Sequence, residues 1–213
     1  MAKRMNPAQV RSFFTRLQAL DPEPKTELNY SNHFELLTAV MLSAQSTDVA
    51  VNKVTAKLFP AANTPAAMLA LGEAQLRSYI ASLGLYNSKA KHLIAACEIL
   101  VAEHGGNVPN SRKALEALPG VGRKTANVVL NVLFGEPTLA VDTHIFRLGN
   151  RTGLAPGKTP LAVERGLLKS IPAEFMQHAH HWLILHGRYT CTARKPKCPE
   201  CPVADLCQWP EKS

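Results

Sequence analysis

The stretch LPGVGRKTANVVL, residues 118–130, joins a short helical pattern to a longer one through two glycines. Glycine adopts backbone conformations that other residues avoid, and it lets another group approach the backbone closely. The stretch therefore predicts a tight helix–hairpin–helix unit with Gly120 and Gly122 in its turn. An ordinary turn between two antiparallel helices would carry the same glycines, so this alternative stays open.

The second helix of this unit begins with two cations, Arg123 and Lys124. The helix dipole places partial positive charge at this end, which disfavours further cations there. A bound phosphate would offset the charge, because backbone amides at a helix N-terminus bind anions. The same potential opposes protonation of Lys124 and favours its neutral amine, which is the nucleophilic form. A solvated lysine that only touches a phosphate is the alternative.

Apolar residues recur at helical spacing along nearly the whole chain, so we predict an all-α fold. Asn6 and Pro7 predict the start of the first helix, and Ser111 predicts the start of the short helix before the turn. Gly84 is expected to end a helix. Helices are predicted within residues 6–20, 33–45, 46–59, 64–72, 73–84, 87–106, 111–117, 123–134, from 142 onward, 160–170 and 174–187.

Lysine and arginine number 24 against 16 acidic residues, which gives the 213-residue chain a formal net charge of +8. This excess favours an anionic partner, most commonly nucleic acid, although a basic surface also serves solubility. No run approaches the roughly 18 apolar residues of a membrane span, and the N-terminus lacks the pattern of a secretory signal. We therefore expect a cytoplasmic protein, consistent with a bacterial source.

Four of the five cysteines lie near the C-terminus, at Cys191, Cys198, Cys201 and Cys207. Structural disulfides are rare in the cytoplasm, and this segment has little apolar core, so a metal is expected to stabilise it. Four thiolates suit either tetrahedral zinc or an iron–sulfur cluster, and the residues alone leave both open. Cys97 lies within a predicted helix and is expected to be a buried apolar residue.

Three cations lie between the first two of these cysteines, Arg194, Lys195 and Lys197. A short loop held at both ends by a metal site would present them rigidly to phosphates. A merely solvated loop is the alternative.

Asp142 lies in VDTHIFR, residues 141–147, after an apolar segment and near a predicted helix start. A carboxylate there would assist a nucleophile or stabilise a cationic transition state. Aspartate is also a preferred N-cap, so a purely structural role is the competing interpretation.

The hairpin, its lysine, the distant aspartate and the cysteine spacing together resemble the endonuclease III family, the bifunctional DNA glycosylases and AP lyases of base excision repair. The resemblance covers nearly the whole chain. It rests on SAQSTD (43–48), GLYNSKAKHL (84–93), the hairpin, VDTHIFR and the cysteine segment, which follow one another in the family's order.

The resemblance implies two lobes. A six-helix barrel would span residues 26–136 and contain the helix–hairpin–helix at about 111–134, while residues 1–25 and 137–213 would form a helical domain with a 4Fe–4S cluster loop at 191–207. It also implies a monomer that acts on double-stranded DNA containing damaged pyrimidines or abasic sites.

The resemblance further assigns roles to single residues. Lys124 would be the nucleophile that forms a Schiff base, and Asp142 its catalytic carboxylate. Gln45 would fill the gap left by an extruded nucleotide, Leu85 would wedge the opposite strand, and Asp48 would line the base pocket. The remaining DNA-contacting residues implied are Leu118, Gly120, Val121, Gly122, Arg123, Thr143, His144, Arg194, Lys195 and Lys197.

Two rival functions differ at identifiable features. A mismatch-specific adenine glycosylase would share the hairpin, aspartate and cluster, but its relatives lack a lysine at position 124 and carry an extra C-terminal domain. A non-enzymatic DNA-binding module with structural zinc would use the same hairpin and basic loop, and it would tolerate arginine in place of Lys124.

Overall fold

The structure, a computed structural model, describes residues 3–212, and over that range it contains helices and loops without a β-strand. The predicted all-α class is thus confirmed. None of the described helices is both long and apolar enough to cross a lipid bilayer. The helices are α1 (Pro7–Leu20), α2 (His33–Leu42), α3 (Asp48–Leu58), α4 (Pro65–Ile80), α5 (Tyr86–His104), α6 (Arg112–Ala117), α7 (Arg123–Phe134), α8 (Thr143–Thr152), α9 (Pro160–Ser170) and α10 (Met176–Tyr189), the last preceded by a 3₁₀ turn, Ala173–Phe175.

The chain divides into two compact units, one of which is the continuous segment Thr26–Phe134. Helix α2 lies at its centre, because every residue after His33 in this helix is buried. Helices α3, α5 and α7 pack against α2, and α4 pairs with α5. A helix with no polar face can persist only when neighbours cover it on all sides, and this unit supplies them.

Helix α4 contains both short helices predicted between residues 64 and 84. A kink at Gly72, with φ 79° and ψ 159°, separates them. The expectation that Gly84 ends the second was wrong, because the helix ends at Ile80. The Leu83 N–H donates to the Ile80 carbonyl, and the buried Leu83 side chain enters the core, so the chain turns before reaching Gly84.

The second unit contains the two ends of the chain, up to Lys25 and from Gly135 onward. Its core is aromatic: Phe13 and Phe14 of α1 are fully buried, and the Phe14 ring stacks on Phe175 with centroids 5.8 Å apart. The indole N–H of Trp182 donates to the Asp21 carbonyl at 2.7 Å. This bond joins the end of α1 to α10 and anchors the first helix in a unit completed by the last.

Candidate active site

The predicted hairpin is present as α6, a turn at residues 118–122, and α7. In the turn, the Val121 N–H donates to the Leu118 carbonyl at 3.0 Å. Gly120 has φ 79°, and a Cβ added there would lie 2.9 Å from Cβ of His92 on α5. Glycine is therefore required at position 120 for two reasons: the backbone there is left-handed, and α5 approaches it closely.

Leu118 and Val121 have side chains that are only 2% and 5% exposed, and both belong to the core of the Thr26–Phe134 unit. Their burial holds the turn in place. Any contact that they make with a ligand has to use their main-chain atoms. Gly122 and Arg123, by contrast, lie at the surface.

Lys124 is the second residue of α7, and it is exposed. The first N–H groups of an α-helix have no partner within the helix, so those at the start of α7 are available to an anion. Arg112 of α6 donates to the buried Oδ1 of Asn127 on α7, which fixes the two helices of the hairpin to each other. Sequence reasoning missed this bond, because no local pattern links the two residues.

Gln45 and Leu85 lie in two neighbouring turns of the same unit. Both adopt the left-handed backbone region without being glycine, with φ 54° and 59°. A Cβ added to Gly84 would lie 3.6 Å from the Gln45 carbonyl oxygen, which shows how near the turns are. Both side chains are exposed, that of Leu85 at 55%. An exposed apolar side chain on a strained turn is unusual, and strain of this kind gathers at functional sites.

Lys89 connects these two turns and was not predicted. Its Nζ donates to Ser46 Oγ at 2.7 Å, and its side chain is buried, with the residue only 8% exposed. Burial lowers the pKa of the Lys89 ammonium. The sequence does indicate that Lys89 is buried, because positions 89, 93, 96 and 100 share the buried face of α5.

Asp48, the predicted pocket residue, is the half-buried first residue of α3.

Asp142 is the N-cap of α8 and lies in the other unit. Its Oδ1 accepts from the N–H groups of His144 and Ile145, both at 2.9 Å. Asp142 therefore caps α8, as the competing structural interpretation predicted. The two hydrogen bonds also hold its carboxylate in place. Thr143 is exposed, whereas the half-buried His144 packs on Gly187, whose carbonyl lies 3.4 Å from Nδ1 of the His144 ring.

The four C-terminal cysteines line a single pocket. His186, which sequence reasoning did not select, also lines it, with Nε2 3.6 Å from Sγ of Cys201. Burial lowers the pKa of His186 to about 4, so its imidazole is neutral near pH 7. Four thiolate donors around one cavity are the ligand set that a metal or an iron–sulfur cluster requires.

Cys97 lies apart from this set. It is fully buried in α5, as predicted, and burial raises the pKa of its thiol to about 12. A thiol with so high a pKa is unreactive at neutral pH, so Cys97 serves packing.

The cationic loop between Cys191 and Cys198 has a defined conformation. Thr192 Oγ1 lies within hydrogen-bonding distance of the carbonyls of Arg194 and Lys195, at 2.8 and 3.0 Å, and the Lys197 N–H donates to the Thr190 carbonyl at 3.0 Å. Lys195 has φ 51°. Arg194, Lys195 and Lys197 all remain exposed. The loop therefore presents three cations from an ordered backbone.

Two family models match the chain. Residues 38–173 match the model of the HhH-GPD superfamily of base excision DNA repair proteins. Residues 191–207 match the iron–sulfur binding domain of endonuclease III, so these cysteines form an iron–sulfur site.

Individual relatives agree over almost the full length. Endonuclease III of Escherichia coli (strain K12) is 63% identical over 208 residues, covering 98% of this chain and 99% of the relative. Endonuclease III of Haemophilus influenzae (strain ATCC 51907 / DSM 11121 / KW20 / Rd) is 59% identical with the same coverage. A solved structure of a trapped endonuclease III–DNA covalent intermediate matches with a TM-score of 0.90, at 44% identity and 96% coverage of each chain.

These matches confirm the resemblance drawn from the hairpin, the aspartate and the cysteine spacing. They also favour a glycosylase with lyase activity over the two rival functions. The chain belongs to the endonuclease III family of base excision DNA repair enzymes, which are DNA glycosylases with lyase activity.

Proposed function

We propose that this protein, acting as a monomer in the cytoplasm, removes oxidised pyrimidines from duplex DNA and cleaves the strand 3′ to the resulting abasic site. The observation that carries the proposal is the exposed Lys124 at the start of α7, directly after the glycine turn. The solved relative in which endonuclease III is covalently bound to DNA supports a nucleophile in this protein too.

The hairpin binds the sugar–phosphate backbone without reading bases. Main-chain N–H groups around Gly120, Gly122 and Arg123 approach a phosphate, which is favoured by the helix dipole at the start of α7. The exposed Arg194, Lys195 and Lys197 add further phosphate contacts, as does Thr143 at the start of α8. This part of the binding is independent of sequence, as a repair enzyme that surveys DNA requires.

Lys124 supplies the covalent chemistry. Its neutral amine forms a bond to C1′ of the sugar, while the glycosidic bond breaks and the base leaves with that electron pair and a proton. The sugar ring opens to a Schiff base, which acidifies the hydrogens on C2′. Removal of one C2′ proton by a base forms a C2′=C3′ double bond and breaks the C3′–O bond, so the phosphate leaves as the 5′ phosphate of the downstream strand. Only a primary amine can form this imine, so arginine, which stays protonated, cannot replace Lys124.

Asp142 acts as the catalytic carboxylate. It stabilises positive charge that develops on the sugar or assists proton transfer. Its two bonds from backbone N–H groups hold the carboxylate in place. A capping aspartate is thus well suited to the role, because no further reorganisation is needed when charge develops.

Damaged bases are recognised outside the helix. Extrusion costs least for a base that stacks or pairs poorly. Gln45 fills the gap that the nucleotide leaves, Leu85 wedges the opposite strand, His144 contacts DNA, and Asp48 lines the pocket. The exposure of Gln45 and Leu85 on adjacent turns supports their roles.

We further propose that the iron–sulfur group is a 4Fe–4S cluster held by Cys191, Cys198, Cys201 and Cys207. The four cysteines line one pocket, and the match of residues 191–207 to the iron–sulfur binding domain of endonuclease III favours a cluster over a single zinc ion. When bound, the cluster fixes the thiolates and therefore the cationic loop.

Borohydride trapping tests the proposal. The protein is incubated with duplex DNA containing one thymine glycol, and borohydride then reduces any Schiff base to a stable adduct. The wild type and a Lys113→Ala control on α6 should trap, whereas Lys124→Ala should not. If Lys124→Ala traps as well as the wild type, the nucleophile is another amine. DNA binding without trapping or base release by the wild type would favour the binding module, and adenine release from a mismatch without trapping would favour the adenine glycosylase.

A further inference from the structure

Lys89 makes bonds to both of the turns that carry Gln45 and Leu85. Its backbone N–H donates to the Leu85 carbonyl at 3.0 Å and closes the first turn of α5. Its side-chain Nζ donates to Ser46 Oγ at 2.7 Å, across 43 residues of sequence. One residue therefore joins the turn before α5 to the turn before α3.

The two turns need such a connection. Gln45 and Leu85 both hold left-handed backbone conformations, which residues with a side chain avoid unless their surroundings impose them. Both side chains are exposed, so their own packing does not impose the conformation. The restraint has to come from neighbouring residues whose positions are fixed, and Lys89 lies on the buried face of α5 beside Leu93.

A buried ammonium group is costly, so its presence requires a reason. Packing alone would be served by leucine or methionine, which fill similar space without losing hydration. Burial lowers the pKa of Lys89, which reflects this cost. What the lysine provides instead is a long side chain that ends in a hydrogen-bond donor and reaches Ser46 from within a helix.

Resting on the function proposed above, we infer that Lys89 is a positioning residue for nucleotide extrusion, holding the Gln45 turn against the Leu85 turn through Ser46. With the two turns joined, the side chain that fills the vacated space and the side chain that wedges the opposite strand keep a constant separation. The energy of DNA binding then drives their insertion instead of ordering the turns, which is how a preorganised site saves binding energy.

The test compares reactions that do and do not require a base to be extruded. Single-turnover rates are measured on duplex DNA with a paired thymine glycol and on duplex DNA with a preformed abasic site. Lys89→Met keeps the aliphatic stem and removes the donor, Ser46→Ala removes only the acceptor, and Lys89→Arg retains a donor and the charge. Lys91→Met, an exposed lysine on the same helix, is the matched control.

We expect Lys89→Met and Ser46→Ala to slow thymine glycol removal at least about tenfold, because small misplacements of inserting groups are costly. Cleavage at the abasic site should change no more than about twofold, since no base has to be displaced. The double variant should be no slower than the slower single variant, because both remove the same bond. Lys89→Arg should recover part of the rate, and Lys91→Met should match the wild type.

A 2-aminopurine base opposite the lesion gives a second measurement, because its fluorescence rises when the opposite strand is unstacked. The rise on binding should be smaller for Lys89→Met than for Lys91→Met. If Lys89→Met does not fold, judged by far-ultraviolet circular dichroism, Ser46→Ala takes its place in both measurements and should show the same slower rate and the same smaller rise in fluorescence.

The outcomes separate this inference from the proposed function. A wild type that releases no damaged base contradicts the proposed function, whatever Lys89 does. An active wild type with Lys89→Met and Ser46→Ala at the same rate would overturn the role of Lys89 alone. Equal slowing on both substrates would also overturn it, since a general structural defect then explains the loss.

Discussion

The guanidinium carbon of Arg151 lies 4.2 Å from the centroid of the Trp209 ring, so a cation–π contact holds the residue two positions after Cys207. The same guanidinium donates to the carbonyls of Thr192 and Ala193, at 2.8 and 3.3 Å. Arg151 therefore holds both ends of the cysteine segment from within α8.

Replacing Arg151 by methionine should loosen the iron–sulfur site. The lost contacts should cost about 2 kcal/mol of unfolding free energy. On heating, the visible absorbance of the cluster should disappear at a lower temperature than in the wild type. Arg165→Met, an exposed arginine of α9 in the same unit, is the control and should leave this temperature unchanged.

Gly120→Ala should destabilise the protein, whereas Gly122→Ala should not. Alanine at position 120 would adopt a left-handed backbone and meet His92, while a Cβ at Gly122 meets nothing within 4 Å. The backbone strain alone amounts to roughly 1–2 kcal/mol. Thermal unfolding followed by circular dichroism compares the two variants. Equal melting temperatures would show that the turn relaxes around the added methyl group.

Two substitutions of Asp142 separate its capping role from its catalytic role. Asparagine is as good an N-cap as aspartate, so Asp142→Asn should keep the melting temperature, while Asp142→Ala should lose about 1 kcal/mol. Both should reduce base removal by roughly a hundredfold or more, because each removes the charge. Glycosylase activity retained in Asp142→Asn would leave Asp142 with capping alone.

His181 should make folding stability depend on pH. Burial and the neighbouring His178 lower the pKa of His181 from 6.5 to about 4, while Asp21 opposes them. Between these values the unfolded chain binds a proton that the folded chain does not, so stability falls as the pH falls. The loss from pH 7 to pH 5 should be about 2 kcal/mol. His181→Gln should weaken this dependence, as measured by urea midpoints at both pH values.

Local signals explain what could be predicted about the fold. Asn6 begins α1 through a capping box with Gln9, in which both bonds are 2.9 Å long, and both partners lie within four residues. Gly105 likewise ends α5 in the left-handed conformation that glycine adopts readily. Gly84 failed as a helix end because the burial of Leu83, a tertiary effect, turned the chain first.

The candidate site likewise combines features that the sequence indicates with features that only packing creates. The position of Lys124 at an exposed helix start was predictable, because the glycine turn before it marks where α7 begins. Its role as nucleophile stays a prediction. The bonds from Lys89 to Ser46 and from Arg112 to Asn127 join residues far apart in the sequence, so only packing brings them together. The burial of Leu118 and Val121 was also hidden, since residues in a glycine-containing turn are ordinarily expected at the surface.

The unit built from both chain ends has a consequence for synthesis. Helix α1 is translated well before Phe175 and Trp182, whose rings pack against Phe14. The segment Thr26–Phe134 is continuous, so it can complete its core before the helices that pack against α1 have been translated. The nascent chain therefore leaves Phe14 uncovered until α10 has been translated, and the cysteines of the iron–sulfur site are translated after that.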